Sequence, residues 1–504
     1  MSRILCGALA LVQALAGAAY AQDVEYVAGS TEPRVQLTGE HFQISAYGTY
    51  FATPTPAATL SRYGVLGTDL GHPVTFGDRT LLFFGDTVGA YRNGDRYFNP
   101  LPGPNGAGDS IGFIPNTAFD GCRYISDVDQ QLARAVAVPQ VRPDGCPMIQ
   151  FYTNPFRGPY DHVFQPLVIS GLLAGESQAT FRVPKTALLQ NDRLYVFYTT
   201  KIQDASPVAR FVLQSIVARS DQSPLVWSDS NPPSFTRLYT VSSHEPAVDP
   251  ANPPDERGDT GKFIDAASAV LDTPTLANLR LMPGLPQGLQ RGPAVVFVWG
   301  RSWRVGMSGL YLAAFSVSDI DAGPSHWFYY TGASAWSRDE RAAAPLPGVT
   351  SDLEGYSVGW SSPLRRFVLM RDGAGQIAVQ FSTTPWGPWS GPQVVFSRTD
   401  TWGSKLLHSP GDAIVQSLIP IYSRDGSPMV LMSDPGVPYA PNLLDRVTEN
   451  PDGSITLFYT MSTWNPYQVF LMSSTFRPPP CDVGRDCRRS GDPETPGQRL
   501  ASKL

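Results

Sequence analysis

Apolar positions in this chain come in short bursts. Residues 81–84, 193–198, 294–299, 310–315, 366–370, 377–381, 429–432, 455–459 and 469–472 are β-branched or aromatic runs bounded by Gly, Pro, Asp or Asn. Runs of this length between turn formers predict strands. No long stripe of 3.6-residue period interrupts them, so the pattern predicts an all-β chain. Several runs share a habit: an aromatic strand, a short loop, then a small polar residue and Asp or Trp. RLYVFYTT, PAVVFVWG and SITLFYTMSTW are examples. One barrel or sandwich of more than roughly 400 residues exceeds the usual size of a single core. Radially repeated four-stranded sheets fit better, and about twenty strands make five blades. The predicted fold is a five-bladed β-propeller with long inter-strand loops.

The ends of the chain read differently. Arg3 is followed by an apolar run over residues 4–19 broken only by Gln13, and Ala19-Tyr20-Ala21 then offers a small-x-small cleavage pattern. Residues 1–21 are expected to be a secretory signal peptide; the run is short and Ala-rich for a membrane anchor. Residues 22–58 are polar and turn-rich, an expected N-terminal strap, and residues 59–475 form the propeller. Residues 476–504 have almost no apolar content and are expected to be a disordered tail. Two segments look like insertions, 99–165 and 271–293, and long loops of this kind are often functional.

Composition narrows the chemistry. The 38 Lys and Arg against 44 Asp and Glu give a net charge of −6, so there is no electrostatic case for a nucleic-acid partner. No later segment could span a bilayer, so no membrane association is expected once the signal is removed. The mature chain keeps four cysteines. In an oxidising compartment their spacing favours two local disulfides, Cys122 with Cys146 and Cys481 with Cys487. Zinc is the alternative, but neither pair has CxxC spacing and no His lies close by. The expected location is extracellular or periplasmic, and the expected state is a monomer without cofactor or metal.

Common nucleophile, phosphate-loop and metalloprotease motifs are absent, and the six His are scattered. Carboxylate chemistry remains. The most informative stretch is GVLGTDLGHPVTFGDRTLLFFGDT, residues 64–87. Gly77-Asp78 is a two-residue hairpin turn. If the ladder is regular from that turn, Asp69 and Asp86 face each other directly, with Cβ atoms roughly 5 Å apart. A bulge near Pro73 would shift the register and separate them. Opposed like charges destabilise a ladder, so such a pair asks for a reason. Paired carboxylates are the means of glycoside hydrolysis, one protonating the leaving oxygen and the other serving as base or nucleophile. Their repulsion would hold one proton more tightly, as a general acid requires. The competing reading is that both Asp residues cap turns.

TDLG…FGDT, FRVPKTAL, KFIDAA, WFYYTG, YSVGW, TPWGPWS and YTMSTWNPYQVFLM, in this order over about residues 60–475, together resemble one family. It is the secreted domain-of-unknown-function 4185 family, counted among glycoside hydrolases as the endo-D-arabinofuranases of family 183. The resemblance implies a five-bladed propeller that cleaves D-arabinan of the arabinogalactan and lipoarabinomannan type. It also implies that the acids of the two Asp motifs matter, here Asp69 and Asp86. One departure concerns the segment before the YSV strand, which reads Asp352-Leu353-Glu354-Gly355-Tyr356-Ser357-Val358 and leaves the register of Glu354 in doubt.

Glu354 and Asp265 of KFIDAA are further candidate acids, against readings as a solvated loop carboxylate and a strand-edge cap. Sugar rings stack on aromatic planes and their hydroxyls need fixed polar partners. Trp464, Asn465, Tyr467 and Gln468 in STWNPYQ, and His162 and Gln165 in DHVFQP, are candidate substrate contacts; blade core and loop packing are the alternatives. His72 lies close to Asp69 and is a candidate to tune it. Trp386 and Trp389 in TPWGPWS read as structural. The expected function is hydrolysis of furanosidic bonds in an arabinan. The rivals are a non-catalytic carbohydrate-binding propeller and a propeller glycosidase for another furanoside, such as a β-fructoside or L-arabinan.

Overall fold

A computed structural model describes residues 24–46, 49–89, 91–93, 96–98, 107–116, 121–134, 145–153, 164–173, 176, 182–203, 211–244, 261–302, 309–349, 353, 355–408, 421–422 and 435–479. Five small sheets form a five-bladed β-propeller. Blade 1 holds the strands Val65–Phe76, Arg79–Gly89, Ala107–Pro115 and Gln150–Phe151. Blade 2 holds Arg182–Gln190, Arg193–Gln203, Phe211–Ser220 and Ser234–His244, with Val168–Ser170 added parallel at its outer edge. Blade 3 runs Asp265–Asp272, Ala294–Arg301, Leu310–Ser316, Phe328–Gly332 and Ala335–Ser337. Blade 4 runs Tyr356–Ser361, Arg366–Gly373, Gln376–Ser382 and Gln393–Ser397. Blade 5 is built from both ends of the described chain. Val437–Glu449, Ile455–Trp464 and Gln468–Arg477 are followed on the outside by Glu32–Gln36 and Glu25–Tyr26. The first strand of each blade packs against the first strands of its two neighbours, which closes a ring.

The apolar bursts form these strands because both faces of a blade are covered. Arg79–Gly89, Ala294–Arg301, Arg366–Gly373 and Ile455–Trp464, each second in its blade, are buried along almost their whole length. That is why they read as continuous apolar runs rather than alternating ones. Large rings fill the spaces between blades. Phe315 stacks on Trp327 at 4.6 Å between centroids in the blade 2–blade 3 cluster, and Trp299 and Phe367 meet between blades 3 and 4. Each buried side chain of this size contributes about 2–3 kcal/mol. Trp389, expected to be structural, is buried in the blade 3–blade 4 cluster, and Trp386 stacks on Tyr330.

Short helices interrupt the strands where strands alone were expected, and two of the α-helices lie in the insertions. Tyr124–Arg134 in the first insertion is a helix that buries Tyr124, Ile125, Val128 and Leu132 on one face. That spacing is helical, but Gly- and Pro-rich surroundings obscured it. The disulfide Cys122–Cys146 lies beside this helix. In the second insertion Asp272 caps a short helix, Thr273–Asn278, by accepting from the Thr275 N–H. The residue 429–432 run, Cys481, Cys487, the signal segment and residues 480–504 of the expected tail lie outside the described residues; Phe476 and Arg477, expected in the tail, instead end the blade 5 strand Gln468–Arg477, where Phe476 is buried.

Polar links cross every blade boundary. Arg182 of blade 2 donates to Asp109 of blade 1 at 2.7 Å. Lys185 of blade 2 and Thr199 reach Asp265 of blade 3 at 3.1 and 2.8 Å. Tyr356 of blade 4 donates to the backbone carbonyls of Asp265 and Trp299. Asp372 of blade 4 accepts from the Ala440 N–H of blade 5 at 2.5 Å. Asn442 and Ser462 of blade 5 bond the backbone of Leu70 in blade 1. These bonds set how the first strands stand relative to one another, and the candidate site is built on those strands.

Candidate active site

The blade 1 hairpin turns on Gly77 and Asp78, with Phe76 opposite Arg79 and Gly77 at φ 57°. The ladder stays regular from there to His72 opposite Phe83. Gly71 is then an extra residue, and Leu70 and Gly71 both take left-handed φ values of 69° and 68°. Beyond this bulge Asp69 faces Gly85, not Asp86 as a regular ladder would give. The bulge sits at Gly71, where positive φ is least costly, and not at Pro73. A second register shift, against Ala107–Pro115, falls between Phe84 and Thr87, and Asp86 itself has φ 41°. The two irregularities re-aim both carboxylates, and they remain close enough for the charge of one to act on the other.

Asp69 is buried, with 9% of its surface exposed. Its Oδ2 accepts from the Tyr439 hydroxyl at 3.0 Å, while its Oδ1 is buried without a partner among the described residues. Burial, and then the Asp86 charge, push its pKa up to about 8; hydrogen bonds from Tyr439 and Tyr467 and the Lys185 charge act weakly the other way. Asp69 is therefore a carboxylic acid at neutral pH. Asp86 is only partly buried. Burial raises its pKa too, but its second influence is Lys185, which favours the carboxylate. Tyr467 donates to the backbone carbonyl of Asp86 at 3.2 Å and so touches both acids' surroundings. Two neighbouring acids with unequal environments are what separate acid and base roles require.

Lys185 was not singled out in the sequence, although FRVPKTAL contains it. It is the extra residue of a bulge between Pro184 and Thr186 in the first strand of blade 2. Its Nζ lies 3.1 Å from Asp265 Oδ1, and Arg301 lies 2.8 Å from Asp265 Oδ2. Asp265 is buried and also accepts from Thr199. It is thus a carboxylate saturated by cations and a hydroxyl, which orients its neighbours rather than standing open to a ligand. Arg301 additionally donates to the carbonyl of Leu353. His72 is buried, and its Nε2 has no partner among the described residues. Burial, then the Lys185 charge, push its pKa down to about 3, so it is a neutral imidazole.

Blade 5 supplies the other side. Val437–Glu449 is irregular between Tyr439 and Asn442, and Ala440 has φ 46°. Asp372, also bonded to the Gly355 N–H, holds the Ala440 N–H and thereby fixes the backbone beside Tyr439. Neither Tyr439 nor Asp372 carries a local sequence signal, because their partners lie far away in the chain.

The other candidates are dispersed. Trp464 is partly buried and packs edge-on against Tyr467 at 5.6 Å. Asn465 is wholly buried, and its carbonyl accepts from the His408 N–H. The Gln468 amide is taken up by Thr38 and the Leu66 carbonyl. Gln165 donates to the neighbouring Pro166 carbonyl and bonds Tyr152 through its N–H, within the outer part of blade 1. His162 and Glu354 lie outside the described residues. Among the described residues no group of three or more His, Cys, Asp or Glu could hold a metal ion.

No protein-family model matches the chain, and no curated protein matches it. Solved structures superpose on it loosely. An exo-1,5-α-L-arabinanase from a bovine ruminal metagenomic library aligns over 81% of this chain and 94% of its own, with 8% identity and a TM-score of 0.34. An endo-1,5-α-L-arabinanase from Thermotoga petrophila aligns over 82% and 72%, with 12% identity and a TM-score of 0.30. Superpositions this loose carry no weight for the chemistry, which has to be argued from the residues.

Proposed function

We propose that this protein is a secreted glycoside hydrolase that cleaves furanosidic linkages in D-arabinan. The observation that carries the proposal is the unequal pair of acids: Asp69 is buried and holds its proton up to a pKa of about 8, and the more exposed Asp86 lies in the field of Lys185. Asp69 gives its proton to the leaving glycosidic oxygen. Asp86, as the carboxylate, attacks the anomeric carbon or takes a proton from the attacking water. In the first route Asp69 then deprotonates a water that displaces Asp86 from the anomeric carbon, which restores both acids; in the second the proton taken by Asp86 is lost to solvent and Asp69 is reprotonated from solvent. Tyr439 and Tyr467 hold this geometry, and Trp464 offers an aromatic plane beside it. The motif set over residues 60–475 supports D-arabinan as the polymer. The apolar start of the chain and the Cys122–Cys146 disulfide support export to an oxidising compartment.

The test is incubation of the purified protein with D-arabinan, L-arabinan and a β-fructan, alongside Asp69→Asn and Asp86→Asn. Oligosaccharides should appear from D-arabinan with wild type. Each variant should lose at least about a thousandfold in rate while keeping its circular dichroism spectrum. Cleavage of only another polymer would move the substrate assignment. A wild type that binds these glycans but cuts none would establish a binding propeller instead.

A further inference from the structure

The motifs TDLG and FGDT each pair an aspartate with a threonine, and only the aspartates have a part in the proposed reaction. Asp86 has an unusual place in its sheet. Towards Val65–Phe76, Gly67 faces Val88 and Asp69 faces Gly85, so Asp86 and Thr87 together oppose the single residue Thr68. Towards Ala107–Pro115, Phe84 faces Ser110 and Thr87 faces Gly108, so Gly85 and Asp86 together oppose Asp109. Asp86 is the residue common to both bulges, and its φ of 41° is left-handed. A non-glycine residue keeps such a conformation only where its surroundings over-determine it. Here they do. The carbonyl before Asp86, that of Gly85, accepts from Thr68 Oγ1 at 2.9 Å, and the carbonyl of Asp86 itself accepts from Tyr467 of blade 5 at 3.2 Å. The Thr68 and Thr87 hydroxyls lie 2.8 Å apart, and the Ser110 hydroxyl lies 2.7 Å from that of Thr87. All three side chains are wholly buried. Each hydroxyl has one proton to give, and Thr68 gives its own to Gly85. The row therefore runs one way: Ser110 to Thr87, Thr87 to Thr68, Thr68 to the Gly85 carbonyl.

We propose that Thr68 and Thr87 are positioning residues: their hydroxyl pair braces the two acids against each other by holding Asp86 in its left-handed bulge. This rests on the hydrolase reading above and adds to it what sets the spacing of the acids. Thr68 directly precedes Asp69 and Thr87 directly follows Asp86, so one hydrogen bond ties the two acid-bearing strands together at the acids. Thr68 also holds the Gly85 carbonyl, and so grips the residues on both sides of Asp86. The spacing of two carboxyls decides whether a water fits between the second acid and the anomeric carbon, so a shift of the Asp86 backbone is felt in the chemical step. Packing alone asks for no hydroxyls here, since apolar side chains of the same shape would fill a wholly buried row without needing partners.

The experiment compares Thr68→Val, Thr87→Val, Thr68→Ser and Thr87→Ser with wild type, by kinetics on D-arabinan and by crystallography. Valine keeps the shape and removes the hydroxyl; serine keeps the hydroxyl. The valine variants should lose about ten- to a hundredfold in kcat with KM within about threefold of wild type, and the serine variants should recover to within about threefold of the wild-type kcat. In crystals of the valine variants Asp86 should leave the left-handed region and the distance between the two carboxyls should change, while the serine variants keep both as in wild type. Valine variants with wild-type kcat, or serine variants as slow as the valine ones, would overturn the proposal, because the hydroxyls would then have no part in it. Alanine at the same positions carries the test if a valine variant does not fold. If wild type cuts no furanoside polymer, the hydrolase reading fails and the crystallographic arm still decides. An unmoved Asp86 in both valine variants would sink the brace whatever the activity.

Discussion

Tyr439 of blade 5 donates a 3.0 Å hydrogen bond to Oδ2 of Asp69 in blade 1, across a separation of 370 residues. The bond joins the last blade of the ring to the first. It also gives one oxygen of a buried acid its partner, while the other oxygen is buried without one among the described residues.

Tyr439→Phe removes that partner and little else. A hydrogen bond of this type contributes about 1–1.5 kcal/mol, so kcat should fall roughly tenfold or somewhat more. The Tyr439 bond favours the carboxylate form of Asp69. Its loss should therefore raise the pKa of the acid and move the basic limb of kcat/KM to higher pH. A rate profile from pH 5 to 10 checks both. A variant with wild-type rate and limbs would show that the bond has no part in the chemistry.

The Asp69 pKa of about 8 has a consequence for stability as well. The folded group binds its proton more tightly than an unfolded aspartate, whose pKa is near 3.9. Its contribution is fully present below the unfolded value and is lost as pH rises through about 8. Thermal unfolding should therefore show Tm falling between about pH 4 and pH 8 in wild type. Asp69→Asn stays neutral at every pH and should flatten that slope, so the inactive variant is the more stable protein at pH 8. Parallel Tm–pH curves for the two proteins would contradict the burial argument. The basic limb of kcat/KM should fall near the same pH, since the acid loses its catalytic proton there.

The disulfide ties the helix Tyr124–Arg134 to the segment beyond it. It closes a loop with a sequence separation of 24, and Cys122 is fully buried in the cluster shared by blades 1, 4 and 5. Chain entropy for a loop of that length gives about 3 kcal/mol. Replacing both cysteines by Ser should lower Tm by several °C, with unchanged kcat, because no candidate acid touches this cluster. Calorimetry under reducing and non-reducing conditions should reproduce the same difference in wild type.

Much of this architecture is readable from local pattern, and the part that is not has a common cause. Apolar bursts ending in Gly, Pro or Asp gave strands because blade strands are buried on both faces, and the Gly77-Asp78 turn carried its own signal. Asp69 and Asp86 stood out because two acids flank one hairpin. Their register did not, since it depends on whether Gly71 bulges, and that is decided by blade 5: Thr460 bonds the Gly71 carbonyl and Ser462 the Leu70 N–H. Lys185, Tyr439 and Asp372 escaped for the same reason. Each sits at or beside a strand irregularity and acts on a residue in another blade, so its significance exists only once the ring closes. Gln468 and Asn465 show the converse, since side chains that look suited to sugar hydroxyls are consumed by structural bonds or buried.

Gly85 gives the sharpest separation of activity from stability. It faces Asp69 across the ladder, and a Cβ there would lie 2.9 Å from Leu70 Cδ1 and 3.2 Å from Asp69 Oδ1. The first contact is with the end of a flexible side chain, which can turn away at small cost. The second is with the acid itself, which has to give by a few tenths of an ångström. Its other oxygen is held by Tyr439, so the carboxyl rotates or retreats rather than sliding intact. A misplacement of about 1 Å at a reacting group costs about a hundredfold in rate, and smaller shifts cost up to that. Gly85→Ala should therefore lose about ten- to a hundredfold in kcat while Tm changes by only a few °C. The reverse outcome, full activity with a large drop in Tm, would mean that strain at this position is absorbed by the blade, and that Asp69 does not stand at the reacting centre.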